Sequence, residues 1–182
     1  MARAKAEPGR LAYSSSGNGS PPHLAGMYFE SRTGIQMLHV PFKGGAPALQ
    51  AVAAGDVQLS MGTPPSVMSL VQTGRVTAIA VTSGQRSPMF PNLPAVAEAG
   101  IKDFDYTFWF GLFGPAGMSA EVVGKLFDAS VKTLNDPDIR ARLAQGGNEA
   151  APSKSPAEFA SWAEADGKKN ADLVRKLGVT LD

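Results

Sequence analysis

The 182 residues contain no cysteine, which excludes disulfide staples, thiolate metal sites and cysteine nucleophiles from this stretch of chain. Histidine is nearly as scarce: His23 and His39 are the only two, no His-x-x-x-His pair exists, and no Gly-x-Ser-x-Gly elbow marks a serine nucleophile. Charge of one sign is also missing. Lys and Arg number 17 against 16 Asp and Glu, a formal net charge of +1, too little to draw the protein onto nucleic acid or an anionic membrane. No apolar run approaches the roughly 20 residues that span a bilayer. Met1 to Pro8 carry positive charge with no apolar segment behind them, so the N-terminus as it stands does not read as a secretion signal.

What the chain does have is glycine and proline, 20 and 14 residues, spaced as punctuation between elements. Short apolar runs at 11–14, 36–40, 57–61 and 76–82 read as strands, and the amphipathic stretches 21–33, 46–54 and 64–72 as helices closed by Gly34, Gly55 and Gly74. Helices joining successive strands imply right-handed crossovers and a parallel sheet, so the fold class is α/β. Residues 83–103 read as a connection with one helical turn near 95–99. The aromatic run 105–113 reads as a buried or crossing strand. Three helices follow, opened by Ser119, by Asp136 with Pro137, and by Ser155 with Pro156. Residues 10–108 thus form a ligand-binding α/β lobe. Residues 109–182 form a crossover strand and helices of a second, incomplete domain, with Trp109, Phe127, Phe159 and Trp162 as apolar surface open to self-association.

In parallel sheets, function gathers at the strand C-termini. After the first strand, Ser15, Ser16, Gly17, Asn18, Gly19 and Ser20 lead into Pro21, Pro22 and His23, a bend whose amides can converge on an oxyanion. Pro21 and Pro22 lack N–H groups, so the donors come from Ser16 to Ser20 and from His23; the competing reading is a tight turn with Ser20 as N-cap. After the second strand stand Lys43, Gly44, Gly45 and Ala46, and after the third Gly62 and Thr63, the latter as N-cap. Phosphate fingerprints fail: Pro22 occupies the position where a dinucleotide loop needs Gly or Ala, and no Gly-Lys-Ser/Thr triplet exists. His39 reads as a packed or edge residue of its strand rather than a ligand. No cofactor or metal is expected.

Tyr13-Ser14-Ser15-Ser16-Gly17-Asn18-Gly19-Ser20-Pro21-Pro22-His23, His39-Val40-Pro41-Phe42-Lys43-Gly44-Gly45-Ala46-Pro47, Ala53-Ala54-Gly55-Asp56-Val57-Gln58, Pro94-Ala95-Val96-Ala97-Glu98-Ala99-Gly100 and Trp109-Phe110-Gly111-Leu112-Phe113-Gly114-Pro115, in that order, resemble the Bug-type substrate-binding proteins of tripartite tricarboxylate transporters. The resemblance implies a periplasmic-binding-protein type II-like lobe with a parallel-rich sheet, a periplasmic location, membrane transporter subunits as partners, no catalysis, and a small mono- or dicarboxylate held between two lobes. Ser15 to Ser20 and Gly44 to Ala46 are the carboxylate-binding positions it implies, with Gly62 and Thr63 as neighbours. It also implies that the first part of lobe one is absent from this sequence. The competing class is a small enzyme that uses the same glycine loops to hold a phosphorylated or carboxylated substrate.

Overall fold

The computed structural model describes residues 2–178. A short helix α1 (Ala2–Ala6) leads into β1 (Ala12–Ser15), α2 (Pro21–Thr33), β2 (Leu38–Pro41), α3 (Gly45–Ala54), β3 (Leu59–Ser60) and α4 (Pro64–Gln72). A 3-10 turn (Val96–Ala99) precedes α5 (Ala120–Asn135), α6 (Pro137–Gln145) and α7 (Pro156–Leu177). The strands form a parallel sheet in the order β2-β1-β3, with Ala12 opposite Leu38 and Tyr13 opposite both His39 and Leu59. The chain divides into two compact units, residues up to 108 together with those from 174, and residues 109–173.

Proline and glycine set the helix limits as the sequence predicts. Pro21 and Pro64 occupy first helical positions, where the missing N–H costs nothing, and Gly34 and Gly55 close α2 and α3 in the left-handed conformation. Ser119 and Asp136 cap α5 and α6, accepting from Val122 N and from Asp138 and Ile139 N.

β1 is the central strand and all four of its residues are buried. Alternation sends Tyr13 into one cluster, with Ala4, Ile35 and Met37, and Ala12 into another, with Ala51 and Val57. Buried Ser14 is satisfied by hydrogen bonds: its Oγ donates to the Ala48 carbonyl at 2.9 Å, and its carbonyl accepts from Ser60 Oγ at 3.1 Å.

Two expected strands are not formed. Residues 76–82 make a single parallel bridge, Val81 to Ala95, and Ile79 is 78% exposed. Residues 105–113 join no ladder among the described residues. In both segments β-favouring side chains lack a neighbouring strand, and propensity without pairing does not make a strand. The aromatics of the second segment serve packing instead. Trp109 lies edge-on to Phe159 and Trp162 of α7 at 5.9 and 4.9 Å, and its indole N–H donates to Asp166 at 2.8 Å. Within residues 109–173, Phe110, Leu112 and Phe113 are exposed, as are Val122 and Leu126 of α5.

Candidate functional site

Parallel pairing puts the C-termini of β1, β2 and β3 on one edge, so the three loops that follow are neighbours. The Phe42 amide donates to the Ser15 carbonyl at 3.0 Å and the Gly44 amide to the Ser16 carbonyl at 3.3 Å, which ties the first loop to the second. A methyl on Gly45 would meet Ser66 Cβ at 3.3 Å, which brings the start of α3 against the first turn of α4.

The sequence treats every amide from Ser16 to Ser20 as a donor, yet the loop consumes several of them itself. Gly17 N–H donates to Ser15 Oγ (3.2 Å), Gly19 N–H to His23 Nδ1 (3.0 Å) and Ser20 N–H to the Gly17 carbonyl (3.2 Å). Ser20 is an N-cap by position only. With Pro21 and Pro22 beyond it, its hydroxyl turns back and donates to the Gly17 carbonyl at 2.6 Å, where Ser15 Oγ also donates at 3.0 Å. Three donors therefore hold one carbonyl inward. In a trans peptide the N–H points opposite the C=O, so the Asn18 amide faces out of the loop, and among the described residues it has no hydrogen-bond partner. The Ser16 hydroxyl, the Asn18 carboxamide and the His23 amide have none among them either. Ser15 itself is wholly buried, beneath the loop rather than on its surface.

The three helix starts differ in what they can donate. α2 begins Pro21-Pro22 and α4 begins Pro64-Pro65, so neither offers an N–H in its first two positions. α3 begins Gly45-Ala46, and neither amide has a partner among the described residues. Gly44 precedes them at φ +110°, a conformation glycine adopts freely. The amide donors at the first two helical positions of this edge thus belong to α3, where the helix dipole favours negative charge. Lys43 is exposed beside it. Gly62 serves packing: a methyl there would lie 2.5 Å from Val67. Thr63 spends its hydroxyl on Ser66 Oγ at 3.1 Å.

Beneath the first loop lies a pair the sequence did not assemble. His23, on the first turn of α2, and His39, on β2, stack with ring centroids 3.8 Å apart and planes 5° from parallel. His39 Nε2 is 2.6 Å from Ser15 Oγ, and Tyr13 packs 5.0 Å away. Burial, with His23 as a second cause, lowers the His39 pKa to about 4, and burial lowers that of His23 as well. Burial and then the Glu30 carboxylate push the Tyr13 phenol above its usual range. The signal was in the register: positions 13 and 15 of β1 and 39 of β2 share one face of the sheet. Among the described residues no three His, Asp or Glu side chains gather to hold a metal ion.

The model of the tripartite tricarboxylate transporter family receptor matches residues 1–179. The chain belongs to that receptor family. Protein BugT of Bordetella pertussis is 32% identical over 182 residues, 100% of this chain and 55% of BugT. Among solved structures, an R. palustris protein with adipate superposes with TM-score 0.91 at 30% identity, covering 98% of this chain and 60% of that one. MatC from Rhodopseudomonas palustris with bound malate gives 0.83 at 26%, covering 95% and 60%. The chain therefore spans little more than half the length of these family relatives.

Proposed function

We propose that these residues form the carboxylate-recognising part of an extracytoplasmic solute receptor, which works in the periplasm and delivers a small organic acid to a tripartite tricarboxylate transporter. The observation that carries this reading is the donor set at one sheet edge, the unpartnered amides of Asn18, Gly45 and Ala46. Main-chain amides at a helix start suit a carboxylate and make no demand on what it is attached to. Adipate and malate, held by two structural relatives, differ in length and share terminal carboxylates, which fits recognition of the carboxylate end. Ser16, Asn18, Lys43, Gly44, Gly45 and Ala46 are the contact residues of this reading. Ser15, Gly17, Gly19, Ser20 and His23 shape the loop, while Gly62 and Thr63 support it from α4. The role is binding without turnover: the hydroxyl nearest a histidine base, Ser15 Oγ, is wholly buried.

Calorimetry of the 182-residue chain with adipate, malate and the neutral adipamide tests this. A dicarboxylate at 100 times its Kd raises stability by about 2.7 kcal/mol, and the diamide leaves it unchanged. Equal responses to acid and diamide, or no response to either, would overturn it.

A further inference from the structure

Hydrogen-bond bookkeeping fixes the protonation of the histidine pair. Gly19 N–H points at His23 Nδ1, so that nitrogen carries no proton. Around Ser15 Oγ, one assignment satisfies every contact: His39 Nε2–H and Gly17 N–H donate to the oxygen, and its own proton goes to the Gly17 carbonyl. His23 is then neutral, and stacking at 3.8 Å opposes charge on both rings at once. Among the described residues no carboxylate hydrogen-bonds either ring. Tyr13 from β1 donates its hydroxyl to the His23 carbonyl at 3.5 Å. Glu30, further along α2, accepts from the Met37 amide. Lys43, on the adjoining loop, adds only like charge to a protonated ring.

We propose that His23 is the positioning residue of the Asn18-Gly19 turn: its unprotonated Nδ1 holds the Gly19 amide, and acid, by placing a proton on that nitrogen, releases that turn and weakens carboxylate capture. The last clause rests on the receptor reading above. A protonated Nδ1 meets Gly19 N–H donor to donor, and Gly19, at φ +69° with no side chain, has nothing else to hold it. An ordered loop presents the Asn18 amide at no further entropic cost, whereas a freed one must be ordered by the ligand.

Asparagine is the discriminating substitution, because its Oδ1 stands where Nδ1 stands and does not titrate. Amide exchange at Gly19 and adipate affinity are read for wild type, His23→Asn and His23→Leu between pH 7.5 and 4.5. Gly19 of the wild type is protected at pH 7.5 and loses protection in acid; in His23→Asn it stays protected throughout; in His23→Leu it is unprotected throughout. Protonation of adipate itself lowers the affinity of every variant toward pH 4.5, and wild type is expected to lose about five- to tenfold more than His23→Asn. Gly19 exchanging alike in wild type and His23→Leu at pH 7.5 would overturn the proposal, as would wild type binding adipate more tightly than His23→Asn in acid. Should no variant bind adipate at any pH, the receptor reading falls, and Gly19 exchange alone decides the role of His23.

Discussion

Gly26 lies under the ring of Tyr13, so close that a methyl group on it would fall 2.3 Å from Cε2 and 2.6 Å from Cζ. This contact lets α2 approach β1, and with it brings His23 over His39. Helix propensity alone favours Gly26→Ala by about 1 kcal/mol. Overpacking a fully buried tyrosine costs about 1–3 kcal/mol, and Tyr13 has no exposed surface into which to retreat. Gly26→Ala is therefore expected to be net destabilising by up to about 2 kcal/mol in urea unfolding. Combined with Tyr13→Leu, the two costs are expected to add to less than their sum.

The His39 pKa, lowered from 6.5 to about 4, sets a stability dependence on pH. The unfolded chain takes up a proton that the folded protein resists, so stability is fully present above pH 6.5 and falls as pH drops toward 4. Allowing for the water that reaches the half-buried ring, the loss is about 1–2 kcal/mol. His39→Gln, which keeps a donor for Ser15 Oγ, is expected to flatten that limb of the curve. Denaturant midpoints at pH 7.5 and 4.5 for both proteins measure the difference, and equal pH slopes would remove His39 from the explanation.

Ala46→Pro deletes one amide of the proposed carboxylate site and little else. The second positions of α2 and α4 already hold proline. Adipate binding by calorimetry is expected to weaken about tenfold or more, the worth of a hydrogen bond to a charged group. Ala46→Ser, which keeps the N–H, is expected to bind as wild type does.

The indole of Trp109 donates to Asp166, which also accepts from Asn170 Nδ2 at 2.9 Å. Both tryptophans, Trp109 and Trp162, sit in the one aromatic cluster of α7, so tryptophan fluorescence reads that cluster selectively. Asp166→Leu is expected to cost about 1 kcal/mol and to shift the emission maximum; an unchanged spectrum would mean that the bond is not kept in solution.

Most of the α/β order could be read from punctuation. Pro21, Pro64, Pro137 and Pro156 open helices and Gly34 and Gly55 close them, because proline and glycine act through local backbone sterics that need no tertiary context. Residues 76–82 and 105–113 read as strands but do not form them, because a strand is a property of two segments, and Ile79 or Phe110 says nothing of whether a neighbour exists. The three loops were found from glycine spacing. The consumption of the Gly17, Gly19 and Ser20 amides was not, since it depends on where Ser15 and His23 send their side chains. From the sequence His39 reads as a strand residue. A lone histidine gives no hint of a partner until β1 and β2 are known to be adjacent.

The proposed Gly45-Ala46 contact at the start of α3 uses atoms that every residue but proline possesses. Most replacements at position 46 would leave that donor intact, so a grip on an acid group made there would be buffered against mutation. Diversification of the rest of such a site could then proceed at other positions without forfeiting the anchor.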